Sequence, residues 1–103
     1  MKKGQFKNDK YRKARGGYSR LLNINCESCG KFLLLYQKDG HGPLKRVYID
    51  RIIKPEGSGK NKQLVCKSCK KVVGTLYIYE KEKRLAYRLY QDAVTKKITK
   101  YGD

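Results

Sequence analysis

The chain has 103 residues, enough for one compact domain, with 39% hydrophobic residues, no tryptophan, and tyrosine as nine of its eleven aromatics. Twenty-six Lys and Arg against nine Asp and Glu give a formal charge of +17. Repulsion on that scale favours a polyanion partner, and phosphate-rich nucleic acid is the commonest one. The longest apolar run, Phe32 to Tyr36, is far too short to span a membrane, and the basic N-terminus shows no apolar stripe for lying on one. No secretory h-region follows the first lysines, so a reducing, cytoplasmic setting is expected.

Residues 1–20, MKKGQFKNDKYRKARGGYSR, carry eight Lys or Arg and one acid, Asp9, for a net +7. Apolar content there is too thin for a core, so the segment reads as a flexible arm that orders on nucleic acid. Lys2, Lys3, Lys7, Lys10, Arg12, Lys13, Arg15 and Arg20 are its candidate phosphate contacts; Tyr11 and Tyr18 are its candidate stacking rings. Gly16-Gly17 would let the backbone bend close to a groove.

Residues 21–103 read as the folded domain. Leu21-Leu22 and Ile24 approach the first cysteine pair, Cys26 and Cys29 in CESCG. KFLLLYQ and LKRVYIDRII then flank KDGHGP, whose Asp39-Gly40 and Gly42-Pro43 are turn signals, so this stretch predicts a β-hairpin. Within it, Val47, Ile49 and Ile53 would share one face and Tyr48 and Ile52 the other. KPEGSGKNK, residues 54–62, is a loop by composition. Leu64-Val65 leads to the second pair, Cys66 and Cys69 in CKSCK; KVVGTLYIYE and LAYRLYQ alternate as strands, and AVTKKITK ends the run. Leu85, Leu89 and Ala93 also fit helical spacing, but flanking tyrosines and β-branched residues favour strand over residues 80–93.

The two stretches look like loose copies, each with a C-x-x-C pair, an apolar strand, a polar turn and a return strand. The chain is thus expected to be mainly β, two hairpin halves side by side with their cysteines facing. Four thiolates close a tetrahedral shell around one structural zinc ion. The 36 residues between the pairs exceed the gap of a compact ribbon and match an intervening hairpin and loop. Gly30 resembles the glycine of a rubredoxin-type knuckle; Lys70 stands at the same place in the second pair, a departure from that pattern. Lys67, Lys70 and Lys71 would offset the thiolate charge and add phosphate contacts, as would Lys45 and Arg46 in the first half. Neither pair opens a helix in the βαβ setting of a redox motif, disulfides fit a reducing compartment poorly, and iron–sulfur spacings are usually shorter.

Enzyme signals are scarce. His41, the single histidine, lies in a glycine-rich turn with no nucleophile beside it, and GSGK at 57–60 lacks the first half of a phosphate loop. The knuckles alone are similar to those of the glutathione-dependent formaldehyde-activating family, whose additional cysteines are missing here. In organisation the whole chain resembles the small four-cysteine zinc-ribbon proteins of ribosomal and transcription assemblies. That resemblance implies a zinc-ribbon-like fold with a basic N-terminal extension, no catalysis and no small-molecule substrate. Its implied partners are structured RNA, ribosomal RNA included, and neighbouring ribosomal proteins. The alternative is a zinc-stapled protein-interaction or chaperone module. Against it, the body without its first 20 residues still holds 18 Lys and Arg and eight acids. RNA is preferred to DNA because no recognition helix or three-base finger is visible and cations occur in nearly every segment.

Overall fold

A computed structural model describes residues 6–54 and 59–100. A short helix, α1 (Lys10–Ala14), precedes eight strands: β1 (Ser19–Cys26), β2 (Phe32–Asp39), β3 (Arg46–Tyr48), β4 (Ile52–Lys54), β5 (Gln63–Val65), β6 (Val72–Tyr79), β7 (Arg84–Leu89) and β8 (Val94–Thr99). They form two antiparallel four-stranded sheets, ordered β4-β2-β1-β8 and β3-β7-β6-β5. The chain is mainly β, as its alternating apolar pattern requires, and residues 84–89 are strand.

Period-two alternation puts Leu22 and Ile24 of β1 opposite Tyr36 and Leu34 of β2. Val47 of β3 lies opposite Tyr87 of β7 in the second sheet, and these six residues make one buried cluster shared by both sheets. Leu64, Leu76, Leu89 and Val94 pack against its margins. Inside it, the Tyr36 hydroxyl accepts a hydrogen bond from the backbone N–H of Tyr48 at 3.0 Å, so a buried polar group is satisfied and β2 is tied to β3.

The hairpin expected across KDGHGP does not form as such. β2 pairs with β1 on one side and with the short β4 on the other, whereas β3 crosses to the second sheet beside β7. Gly40 and Gly42, both at positive φ, let residues 39–45 swing from one sheet to the other, a path longer than a tight hairpin turn allows. Residues Ile49–Arg51 make a 3-10 turn instead of continuing a strand, so the expected alternation of residues 47–53 breaks at Tyr48. The two halves also exchange strands, since β8 of the second half lies beside β1 of the first. The halves are therefore interlocked.

The N-terminal segment was expected to be a flexible arm, yet residues 6–20 are tied to the body. Asp9 caps α1 by accepting from the N–H groups of Tyr11 and Arg12 at 3.1 and 3.2 Å. Gly16 and Gly17, at φ +90° and +75°, end the helix, with Gly17 N–H donating to the Arg12 carbonyl at 3.0 Å. Upstream, the Gln37 side chain brackets Lys7: it accepts from the Lys7 N–H at 2.7 Å and donates to the Lys7 carbonyl at 2.9 Å. Lys2 and Lys3 lie outside the described residues.

Candidate metal centre

Each cysteine pair sits in the turn that joins two strands, β1 to β2 and β5 to β6. The turns are built alike. Cys26 N–H donates to the Lys31 carbonyl at 2.8 Å and Gly30 N–H to the Cys26 carbonyl at 2.8 Å; Cys66 N–H donates to Lys71 at 2.9 Å and Lys70 N–H to Cys66 at 2.8 Å. Closing that turn needs a left-handed residue at its fourth-to-fifth step. Gly30 supplies φ +75° without strain, and Lys70 adopts φ +68° despite its side chain. The departure at Lys70 thus leaves the knuckle geometry intact.

The two knuckles face each other. Cys26 Sγ lies 3.7 Å from Cys69 Sγ, Cys29 Sγ lies 3.5 Å from Cys66 Sγ, and all four sulfurs fall within 4.8 Å of one another. A tetrahedron with metal–sulfur bonds of ~2.3 Å has sulfur–sulfur edges of ~3.8 Å, so the four cysteines could hold one metal ion. Cys26 and Cys66 are buried at the strand ends, while Cys29 and Cys69 lie nearer solvent. The Cys66 thiol is pulled down to about 6, first by the backbone N–H of Cys69 and further by that of Ser68, against the cost of burial. Thiolate is the form that ligates metal, and those N–H groups would stabilise it. The exposed Lys67, Lys70 and Lys71 surround the site, with Lys71 Nζ reaching across to Ser28 Oγ at 3.0 Å.

The candidate phosphate contacts divide into two groups. Most arginines near the N-terminus are already engaged. Arg15 makes a two-point ion pair with Glu82, both contacts at 2.8 Å, and donates to the Tyr48 hydroxyl at 3.0 Å. Arg12 donates to Ser19 Oγ at 2.8 Å. Tyr11, expected as a stacking ring, instead covers the Arg84 guanidinium at 4.0 Å, as Tyr48 also does at 3.7 Å. Arg84 also pairs with Asp50 at 2.6 Å and Glu82 at 3.1 Å. Buried Arg51 joins Asp9 at 2.5 Å and Asp39 at 2.8 Å. The bond from Arg51 holds the Asp9 carboxyl well below the usual carboxylate range, and the Arg15 bond lowers that of Glu82. Lys7 Nζ donates to the Asp50 carbonyl at 2.6 Å, and Tyr18 stacks on His41 with ring centres 4.6 Å apart. The single histidine is thus an exposed turn residue against a ring.

Lys10, Lys13 and Lys45 remain exposed, and Arg20 Nε is buried without a hydrogen-bond partner. Arg46 is different from the arginines above: it donates from Nε to the Tyr77 hydroxyl at 2.8 Å and lies over the Tyr79 ring at 4.3 Å. Arg88, Tyr77, Tyr79 and Tyr90 were not singled out from the sequence, because alternation alone marks them as strand residues. Their signal was the alternate tyrosines of YIYE and the arginine between tyrosines in YRLY, legible as a surface only once β3, β6 and β7 are known to be neighbours.

Compared with protein-family models, with curated proteins and with solved structures, the chain matches none.

Proposed function

We propose that this is a non-enzymatic protein that binds structured RNA, with one zinc ion held by Cys26, Cys29, Cys66 and Cys69 as a structural clamp. Four thiolates from two symmetric knuckles leave no open coordination position for chemistry, which suits a structural ion, and redox-inert zinc is the commonest one in such a shell. The observation that carries the RNA reading is how the charge is sorted. Asp9, Asp39, Asp50 and Glu82 are engaged by Arg15, Arg51 and Arg84. Those pairs engage four of the nine acids but only three of the 26 Lys and Arg, so nearly the whole excess of positive charge is left without an acid partner among the described residues. Phosphates are the partner that relieves it.

A permanent place in a ribonucleoprotein assembly, the ribosome among them, suits a second feature. Ile78 and Leu85 are cross-strand neighbours near the tip of the β6–β7 hairpin and are 54% and 47% exposed. An apolar pair on a basic body fits a contact with a neighbouring protein bound to the same RNA.

The test is a filter-binding titration of the zinc-loaded protein on purified ribosomal RNA. With six to ten cations on phosphate, affinity should fall by ~10³–10⁵ between 50 and 200 mM salt. A flat salt response, or no binding at 50 mM salt, would overturn the reading.

A further inference from the structure

Arg46 of β3 and Arg88 of β7 are direct cross-strand partners, so their side chains leave the same face of the second sheet. Like charges placed opposite one another destabilise a strand pair unless something lies between them. Three other arginines of this fold are answered by acids: Glu82 for Arg15, Asp39 and Asp9 for Arg51, Asp50 for Arg84. Among the described residues neither Arg46 nor Arg88 has an ion pair. Each lies on a tyrosine instead, Arg46 over Tyr79 at 4.3 Å and Arg88 over Tyr77 at 4.8 Å. Stacking fixes the plane of a guanidinium; Arg46 gives its Nε–H to the Tyr77 hydroxyl, so its terminal N–H groups are the ones that would meet an oxyanion.

These arginines line a cavity of about 580 Å³ together with Lys45, Tyr77 and Tyr90; Asp92 is the one acid on its wall. Tyr90 is 45% exposed, and its hydroxyl is held by Thr75 Oγ1, so its ring is presented at a set angle. Through Leu44, Lys45 and Arg46 the cavity meets a second one of about 480 Å³ that is lined by Arg15, Lys38 and His41. Two cations with no ion pair among the described residues, beside an oriented open ring in a groove whose walls carry Asp92 and Asp39 as their acids, form a site for a phosphodiester with an adjacent base.

We propose that this groove on β3, β6 and β7 binds a single-stranded RNA segment, with a phosphate between Arg46 and Arg88 and a base on Tyr90. The inference rests on the RNA-binding reading and assigns the contact to the sheet rather than to the N-terminal arm. An acidic peptide would satisfy the charges, but it would leave the ring of Tyr90 without a stacking partner.

The test is fluorescence anisotropy of a fluorescein-labelled ten-nucleotide oligouridylate with the zinc-loaded full chain, over a series of KCl concentrations. Arg88→Gln should weaken binding about tenfold or more. The double variant Arg46→Gln with Arg88→Gln should flatten the slope of log affinity against log salt by about 1.4, the single-strand value for two lost phosphate contacts. Tyr90→Ala should weaken binding about five- to a hundredfold while leaving the slope unchanged. Zinc content of one per chain certifies that each variant is folded, and Arg88→Lys, which keeps the charge, should restore the slope but not the full affinity. Wild-type binding with a steep slope that these variants do not alter would overturn the groove and leave RNA binding standing elsewhere on the molecule. Absence of oligouridylate binding together with absence of binding to ribosomal RNA would overturn both. Displacement of the RNA by oligoglutamate at equal charge concentration would assign the groove to an acidic protein segment and overturn the proposal.

Discussion

Lys70 shows how a single residue can run against its local conformation and be kept there by its surroundings. Its N–H closes the second knuckle on the Cys66 carbonyl, and that bond requires φ +68°, a region that L side chains enter at a cost. In the first knuckle Gly30 does the same work at φ +75° with no such cost. Because metal binding and folding of such a turn are one equilibrium, the strain should appear in metal affinity. Lys70→Gly should therefore bind zinc more tightly by about 1 kcal/mol, roughly fivefold, in competition with a chromophoric chelator. Lys70→Ala keeps the Cβ and should show no gain. Equal affinities for the Gly and Ala variants would mean that the turn carries no strain.

At the scale of elements, the N-terminal segment and the 3-10 turn Ile49–Arg51 are held by arginines whose acid partners differ in burial. Arg51 faces Asp39, only 4% exposed, whereas Arg84 faces Asp50, 42% exposed. Removing either cation strands an acid, and a stranded acid is costly in proportion to how little water can reach it. Arg51→Met should lower stability by about 3–5 kcal/mol, the range for breaking one side of a buried pair. Arg84→Met should cost about 2 kcal/mol, a charged hydrogen bond and a cation–ring contact, since water can take over Asp50 and Arg15 still holds Glu82. Urea unfolding of the zinc-loaded variants measures both, and the reverse order would show that ring stacking outweighs the buried pair. These contacts also show why residues 6–20 could not be read as part of the fold from composition. Their apolar content is thin, and what anchors them is hydrogen bonding and charge pairing with residues 30 to 70 positions away.

For the whole molecule, the four sulfurs join the β1–β2 hairpin of one sheet to the β5–β6 hairpin of the other. Radius of gyration is 13.1 Å, and the cluster shared by the two sheets has six buried members. A thiolate zinc site contributes apparent free energy of ~10–16 kcal/mol in small finger peptides, comparable with the whole stability of a typical domain. Stripping the metal with a strong chelator should therefore release one zinc per chain, expose all four thiols to a colorimetric thiol reagent and abolish cooperative thermal unfolding. A stripped protein that keeps a sharp melting transition would show that the two sheets hold together by packing alone.

The matched C-x-x-C pairs, the β-rich alternation and the cationic excess were legible in the residues themselves, because each is local or additive: ligand spacing, period two, and a sum of charges. The strand choice was legible too where it fell on residues 84–89, since β-branched and tyrosine neighbours outweigh a helical coincidence of three apolar residues; the rest of residues 80–93 is turn or irregular, not strand. What only the tertiary structure decided was partnership. β3 left its neighbour β2 for β7, β8 returned to β1, and the acids went to particular arginines, each set by contacts between distant segments. Which cations remain free for a partner depends on those same contacts. The arm, though richest in charge, is partly spent on the fold, and among the described residues Arg46 and Arg88 are left without ion pairs because burial and geometry, not composition, assign the pairs.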